Sequence, residues 1–396
     1  MKSWQKTAVA LAIATFAGAV AAESMPVRGT GDYSWDSLKP FDSMDFSGVT
    51  ITVAGPWLAP ENGYIRRALE PFEKATGATI KYSGSDSFEQ QILIDAQAGT
   101  PPNLAIFPQP GLAADLASRG YLTPAPDKVR QGVLDNYAAG QSWVDLATYA
   151  DKSGKEQFYG VFFRVDVKSL VWYSPDNFDE YGYEVPETLE ELMALSEQIV
   201  KDGNTPWCIG LGSGAATGWP ATDWVEDLML RTQPASVYDQ WVSHDIRFND
   251  SRVVKAIETF GEIAKNDDYF PAYASKDLGK PVLGSGTVAA ITKPTKATEA
   301  LLEYLLTPLA HELWMEKGGF LTANKLVNTD LYKTDTERAM GDILLNATTF
   351  RFDGSDLMPG AIGAGAFWTG MVDYVSGASA QSIATDIENA WKELEK

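Results

Sequence analysis

The sequence predicts an α/β protein of two lobes, and three observations point to that class. Short β-rich runs alternate with stretches of helical spacing after residue 45, the pattern of a sheet covered by helices. The alternation comes in two regions, one before and one after about residue 160. The 396 residues, 45% hydrophobic and 21% charged, have a globular composition and suffice for two or more domains of roughly 100 to 200 residues.

Residues 1–22 read as an export leader. Lys2 and Lys6 supply a positive start, residues 8–19 an apolar run, and Ala19-Val20-Ala21-Ala22 a small-residue cleavage site. The run falls far short of the roughly 20 apolar residues of a membrane span. No cysteine directly follows the cleavage site, so a bacterial lipid anchor is not expected. Residues 23–45, polar and punctuated by Pro and Gly, read as an N-terminal arm.

Val49-Thr50-Ile51-Thr52-Val53-Ala54 is the first expected strand, ending in Gly55-Pro56-Trp57. Ile65, Leu69 and Phe72 then recur at helical spacing up to Gly77, a natural C-terminal cap. Residues 78–82 predict a strand, 88–98 a helix with Ile92, Leu93 and Ala96 inward, and 103–107 a third strand stopped by Pro108 and Pro110. This order is that of a parallel sheet. The second region reads as strand over 160–173, helix over 189–201 and strand over 207–211. A further strand over 281–291 precedes one helix carrying Leu301, Leu302, Leu305 and Trp314.

Composition removes much enzymology. Fifty-three acidic against 32 basic side chains leave a net charge of −21, which disfavours nucleic acid and anionic membrane surfaces. Two histidines, His244 and His311, and one cysteine, Cys208, leave almost no material for zinc, iron–sulfur or Cys/His chemistry. Both histidines fall on polar helical stretches and read as surface residues. Cys208 reads as a buried, inert thiol or as one whose partner is lost from the sequence. Gly212, Gly214 and Gly218 give GxGxxxG, one residue off the dinucleotide fingerprint, and no GKS, GKT or GxSxG follows. Two carboxylates suffice for a glycosidase, and Glu61 with Asp223 or Asp353 with Asp356 are candidate pairs; solvated surface is the plainer reading.

Ligands of α/β sheets sit beyond strand ends. The post-strand loops here mix small residues, carboxylates, amides and tryptophans, as sugars require: C–H faces stack on rings and hydroxyls need donors and acceptors. Trp241, Trp314 and Trp391 read as core, being at helical spacing among apolar neighbours. Trp57, Trp219 and Trp368 lie in Gly/Pro-containing loops, where packing explains them less well.

Residues 68–80 (ALEPFEKATGATI) resemble the first helix and second strand of extracellular solute-binding proteins of ABC transporters. Residues 159–173 (YGVFFRVDVKSLVWY) are similar to the inter-lobe crossover of the family-1, maltose-type members. Residues 214–224 (GAATGWPATDW), 350–356 (FRFDGSD), 314–325 with the Gly318-Gly319-Phe320 turn, and 365–371 (GAFWTGM) resemble the α-glucoside-binding branch. The resemblance implies a two-lobed periplasmic binding protein fold, type II and maltose-binding-like, with a hinged ligand cleft. It places the first lobe at 46–162 plus 281–325 and the second at 163–280 plus 326–396. It further implies a monomeric periplasmic protein that binds an α-glucoside such as maltose, trehalose or sucrose, delivers it to permease subunits, and has no cofactor, metal or catalytic residues. A secreted carbohydrate-active enzyme or a lectin is the alternative. The loops and the crossover then offer Glu61, Asp86, Gln109, Arg164, Lys168 and Asp223 for polar contacts, and Trp57, Trp219 and Trp368 for stacking. Arg164 and Lys168 read equally well as structural ion-pair partners, and the rings as wedges. One departure is visible: in that branch several tens more residues, carrying a second-lobe strand, are expected where only residues 266–280 stand here.

Overall fold

The structure is a computed structural model describing residues 25–212, 217–265, 282–347 and 350–395. The expected leader lies outside the described residues, as does the short connection at 266–280.

β1 (Thr50–Gly55) forms where Ile51 and Val53 alternate inward. α1 (Glu61–Thr76) buries Ile65, Leu69 and Phe72, each worth about 1.5–3 kcal/mol. It closes on Gly77, whose φ of +74° a glycine adopts without steric cost. β2 (Thr79–Gly84), α2 (Phe88–Gln97) and the wholly buried β3 (Leu104–Phe107) follow as the periodicity requires. Next come α3 (Pro110–Ser118), α4 (Asp127–Asn136), α5 (Gly140–Leu146), the small hairpin β4 (Thr148–Ala150) and β5 (Glu156–Phe158), and β6 (Gly160–Val167). A helical stretch succeeds it: α6 (Pro175–Tyr181), α7 (Leu189–Lys201), α8 (Trp219–Thr232), α9 (Ala235–Val242) and α10 (Ser251–Ala264). The chain returns through β7 (Val282–Ile291), α11 (Lys296–Tyr304) and α12 (Pro308–Met315). It ends with α13 (Asp335–Asn346), β8 (Phe350–Phe352), α14 (Gly354–Leu357), a π-helical turn (Ala361–Phe367), α15 (Trp368–Val375) and α16 (Ala380–Leu394).

The main sheet runs β2-β1-β3-β7-β6, with β8 paired to the start of β7. It is mixed rather than parallel. β1 pairs in parallel with β2 and β3, whereas β7 lies antiparallel to both β3 and β6. Among the described residues, buried side chains form two large clusters, one around this sheet and one between α8, α10, α15 and α16, and a small third one at Met193 and Ile263. β6, β7 and β8 join the two large ones.

Several sequence expectations need correction. The strand expected over 160–173 stops at Val167, and residues 207–211 form none. A strand needs a neighbouring backbone. Lys168 still donates its N–H to the Leu283 carbonyl, but no described strand pairs with 170–173. The expected single helix after β7 breaks into α11 and α12, because Thr307 caps the new helix and Pro308 starts it. The arm is not polar throughout: a 3-10 turn (Trp35–Phe41) buries Trp35, Leu38 and Phe41 against the first cluster. Cys208 is exposed, not buried, since it lies on the unpaired stretch. His311 is wholly buried, its Nδ1 bonded to Thr322 Oγ1 and its Nε2 to the Leu305 carbonyl, each at 2.7 Å. His244 stacks on Trp391 and bonds Glu388 and Glu395. Trp241, Trp314 and Trp391 are core residues, as expected.

Candidate ligand-binding site

Elements from both clusters deliver side chains to a cavity of about 570 Å³. β6 ends in Asp166 and Val167, with Lys168 directly after; β8 leads into Asp353 and the short α14 with Asp356; α8 opens with Trp219 and Asp223; α15 opens with Trp368; and Gln109 caps α3 beyond β3. Ser169 and Trp172 add to the wall, and Ser169 holds a φ of +64°, a sparsely populated conformation of the kind that clusters at functional sites. A larger cavity, about 760 Å³, lies between 170–183 and 192–210, and its walls include Val171, Trp172, Tyr173 and Trp207. The smaller one is the better ligand site, because charge and aromatic rings converge there.

Lys168 organises that convergence. Its Nζ donates to Asp223 Oδ1 at 2.9 Å and to Asp353 Oδ2, and sits 5.1 Å from the centre of the Trp219 ring, within cation–π range. Burial opposes the ammonium charge, but Asp353 and Asp223 outweigh it and hold the group well above the ordinary lysine range. Burial likewise works against the Asp353 carboxylate, yet Lys168 and hydrogen bonds bring it down to about 2. Burial and the Asp353 charge push Asp223 and Asp356 up, and burial with Asp353 and Asp223 pushes Glu226 up.

Local sequence explains the placement. Asp353 is the N-cap of α14, its Oδ1 accepting from the Asp356 N–H at 3.1 Å and the Ser355 hydroxyl at 2.8 Å. Ser355 Oγ in turn accepts from Trp368 Nε1 at 3.4 Å. Glu226, fully buried on α8, accepts from the Gly354 and Ser355 amides at 2.9 and 3.0 Å. Oxygens of Asp223, Glu226 and Asp353 lie within 4.8 Å of one another, a spacing compatible with a cation. The Lys168 ammonium bridges two of them and backbone amides satisfy the third, so the chain supplies its own counter-charge.

Of the sequence candidates, Gln109, Lys168, Trp219, Asp223 and Trp368 meet at this cavity. Arg164 stands one step behind: it pairs with Glu61 at 2.6 Å and with the wall residue Asp166 at 3.3 Å, the structural ion pairing that the sequence left open. Asp86 is exposed in the turn after β2, off the cavity wall. Trp57 is only 4% exposed and packs edge-on to Trp314 at 4.7 Å in the first cluster, away from the wall. Sequence reasoning named Asp353 and Asp356 only as a hydrolytic pair and missed Glu226 and Asp166. The Asp353-Gly354-Ser355-Asp356 capping pattern was the available signal for the first two.

Two clusters joined by three strands, with a polar, tryptophan-lined cavity fed from both, define a two-lobed solute-binding protein. The chain belongs to the bacterial extracellular solute-binding proteins, whose family pattern matches residues 56–310. It is 50% identical to the Alpha-glucosides-binding periplasmic protein AglE of Rhizobium meliloti, over 91% of each chain. It is 37% identical to the Osmoprotective compounds-binding protein GgtB of Synechocystis, over 86% of this chain and 92% of the relative. The alignment with AglE spans 418 positions, more than the 396 residues here, so that relative holds residues with no counterpart in this chain. Among solved structures, a chitin oligosaccharide binding protein superposes with a TM-score of 0.70 at 14% identity, over 87% of this chain and 98% of the other. The binding protein RafE in complex with raffinose superposes with a TM-score of 0.65 at 16% identity, over 88% and 100%. No described helix is long and apolar enough to cross a membrane.

Proposed function

We propose that this protein is the substrate-binding component of an ABC importer, capturing a neutral α-glucoside in the Lys168–Trp219–Trp368 cavity and delivering it to membrane permease subunits. The carrying observation is the 50% identity, across 91% of both chains, to a protein named for binding α-glucosides. The cavity chemistry agrees: Trp219, 37% exposed, and the partly buried Trp368 offer ring faces, while Gln109, Asp223 and Asp356 offer polar contacts. The protein acts as a periplasmic monomer, with its first lobe at 46–162 plus 281–325 and its second at 163–280 plus 326–396. Sugar enters the open cleft, and hinge closure of the lobes buries it. Asp353, its oxygens taken up by Lys168, Ser355 and the Asp356 amide, serves as a wall residue, and the protein carries the sugar without cleaving it.

Maltose, trehalose and sucrose are offered in turn, melting is followed, and the sugar is recovered and analysed. A ligand at about 100 times its Kd stabilises the fold by roughly 2.7 kcal/mol, a melting shift of several degrees at most in a chain of this size. A shift with intact sugar supports the reading; a shift only with an amino acid or phosphate, or recovery of cleaved sugar, overturns it.

A further inference from the structure

Four carboxylates, Asp166, Asp223, Asp353 and Asp356, face the cavity, against the single ammonium of Lys168. Three of them are occupied: Asp166 by Arg164, and Asp223 and Asp353 by Lys168. Asp356 differs. Its backbone N–H is used in the α14 cap, but its side chain has no hydrogen bond or ion pair with any described residue, and it remains partly exposed on the cavity wall.

Resting on the reading of this cavity as a sugar site, we infer that Asp356 makes it charge-selective: an α-glucoside in which an ammonium replaces one hydroxyl is preferred to its neutral parent, and one carrying a carboxylate is rejected. The physical reason is the uneven charge. Lys168 is already shared between two carboxylates, so a second cation entering beside Asp356 meets an acceptor with no internal partner. An anion finds no free cation on the wall, since Lys168 is shared between Asp223 and Asp353, and it meets the Asp353 carboxylate in a partly desolvated setting, where Coulomb terms exceed those in water. Burial and the Asp353 charge push the Asp356 carboxyl up although Lys168 acts against them, so an entering ammonium supplies the close counter-charge that favours its ionised form. The uncharged rest of the sugar has the Trp219 and Trp368 rings to stack on, so selectivity is added to neutral binding and does not replace it.

The test is calorimetric titration at pH 7 with trehalose, its 2-amino-2-deoxy and 6-amino-6-deoxy derivatives, and its 6-carboxylate. At least one amino derivative is expected to bind tenfold or more tightly than trehalose, and the carboxylate tenfold or more weakly. Asp356→Asn is expected to weaken trehalose itself somewhat and to shrink both ratios several-fold; Asp356→Ser provides a second variant should the first fold poorly. If neither amine outbinds trehalose, or if the ratios persist in a folded Asp356 variant, the inference is wrong. If trehalose, maltose and sucrose all fail to bind wild type, the sugar reading falls, and this inference with it; the neutral parents separate that failure from a failure of charge selection alone.

Discussion

The Lys168 side chain keeps only 15% of its exposure, and two carboxylates 55 and 185 residues further along the chain hold its ammonium in place. Removing one member of a buried pair leaves the others uncompensated, which costs about 3–5 kcal/mol. Lys168→Ala should therefore lower the melting temperature sharply even without sugar; an unchanged melt would mean that the three charges are well solvated. The tryptophans divide on the same logic. Trp57, in the core, should cost about 3–5 kcal/mol when cut to Ala and leave affinity nearly intact. Trp368→Ala should melt nearer to wild type and lose most of its sugar affinity. Melting and titration on the two variants decide, and reversed outcomes would exchange their roles. From sequence, the three loop tryptophans were indistinguishable, because Trp57 and Trp368 both neighbour Gly or Pro residues. What separates them is a contact with Trp314, distant along the chain, which no local pattern encodes.

At the scale of elements, α8 and α12 carry the most specific expectations. Gly218, just before α8, has φ +114°, and a Cβ there would lie 2.2 Å from the Trp368 carbonyl oxygen. Gly218→Ala is therefore strained twice, in backbone and in contact, and should displace Trp219 and Trp368 together. Sugar affinity is expected to drop by at least about tenfold, or 1.4 kcal/mol; equal affinity by titration would show that the two loops give way freely. In α12, burial brings His311 from 6.5 down to about 4. The unfolded chain then binds the extra proton, so the neutral ring's contribution is full above about pH 6.5 and is lost as pH falls toward 4, about 3 kcal/mol by then. Melting curves from pH 7 to 4 should show that loss in wild type and a shallower slope in His311→Asn; identical slopes would contradict it. Helices and strands of the first region were legible because each carries its own periodicity and stop signal. The runs at 170–173 and 207–211 are β-rich in sequence yet form no strand, because pairing depends on a neighbour and not on the run itself. His311 was misread for a related reason: two polar residues, His311 and Glu312, stand in its helix, yet all eight residues of α12 are buried, the helix packing against α1 and the arm.

For the whole molecule, the two-lobed class was legible from length and alternation, whereas the antiparallel return of β7 was not, since a strand's direction is set by its crossover and not by its residues. That return matters, because it brings the start of β7 and the adjoining β8 beside the end of β6, and so places Asp353 against Lys168. This junction is proposed to bind neutral α-glucosides. Its most direct test is calorimetric titration of maltose, trehalose and sucrose into wild type and Asp223→Ala. At least one of these sugars is expected to bind wild type one-to-one, with a Kd at least about tenfold weaker in the variant, since a charged hydrogen bond is worth roughly 1.5–3 kcal/mol. Absence of binding to all three, or an unchanged Kd in a folded Asp223→Ala, would contradict it.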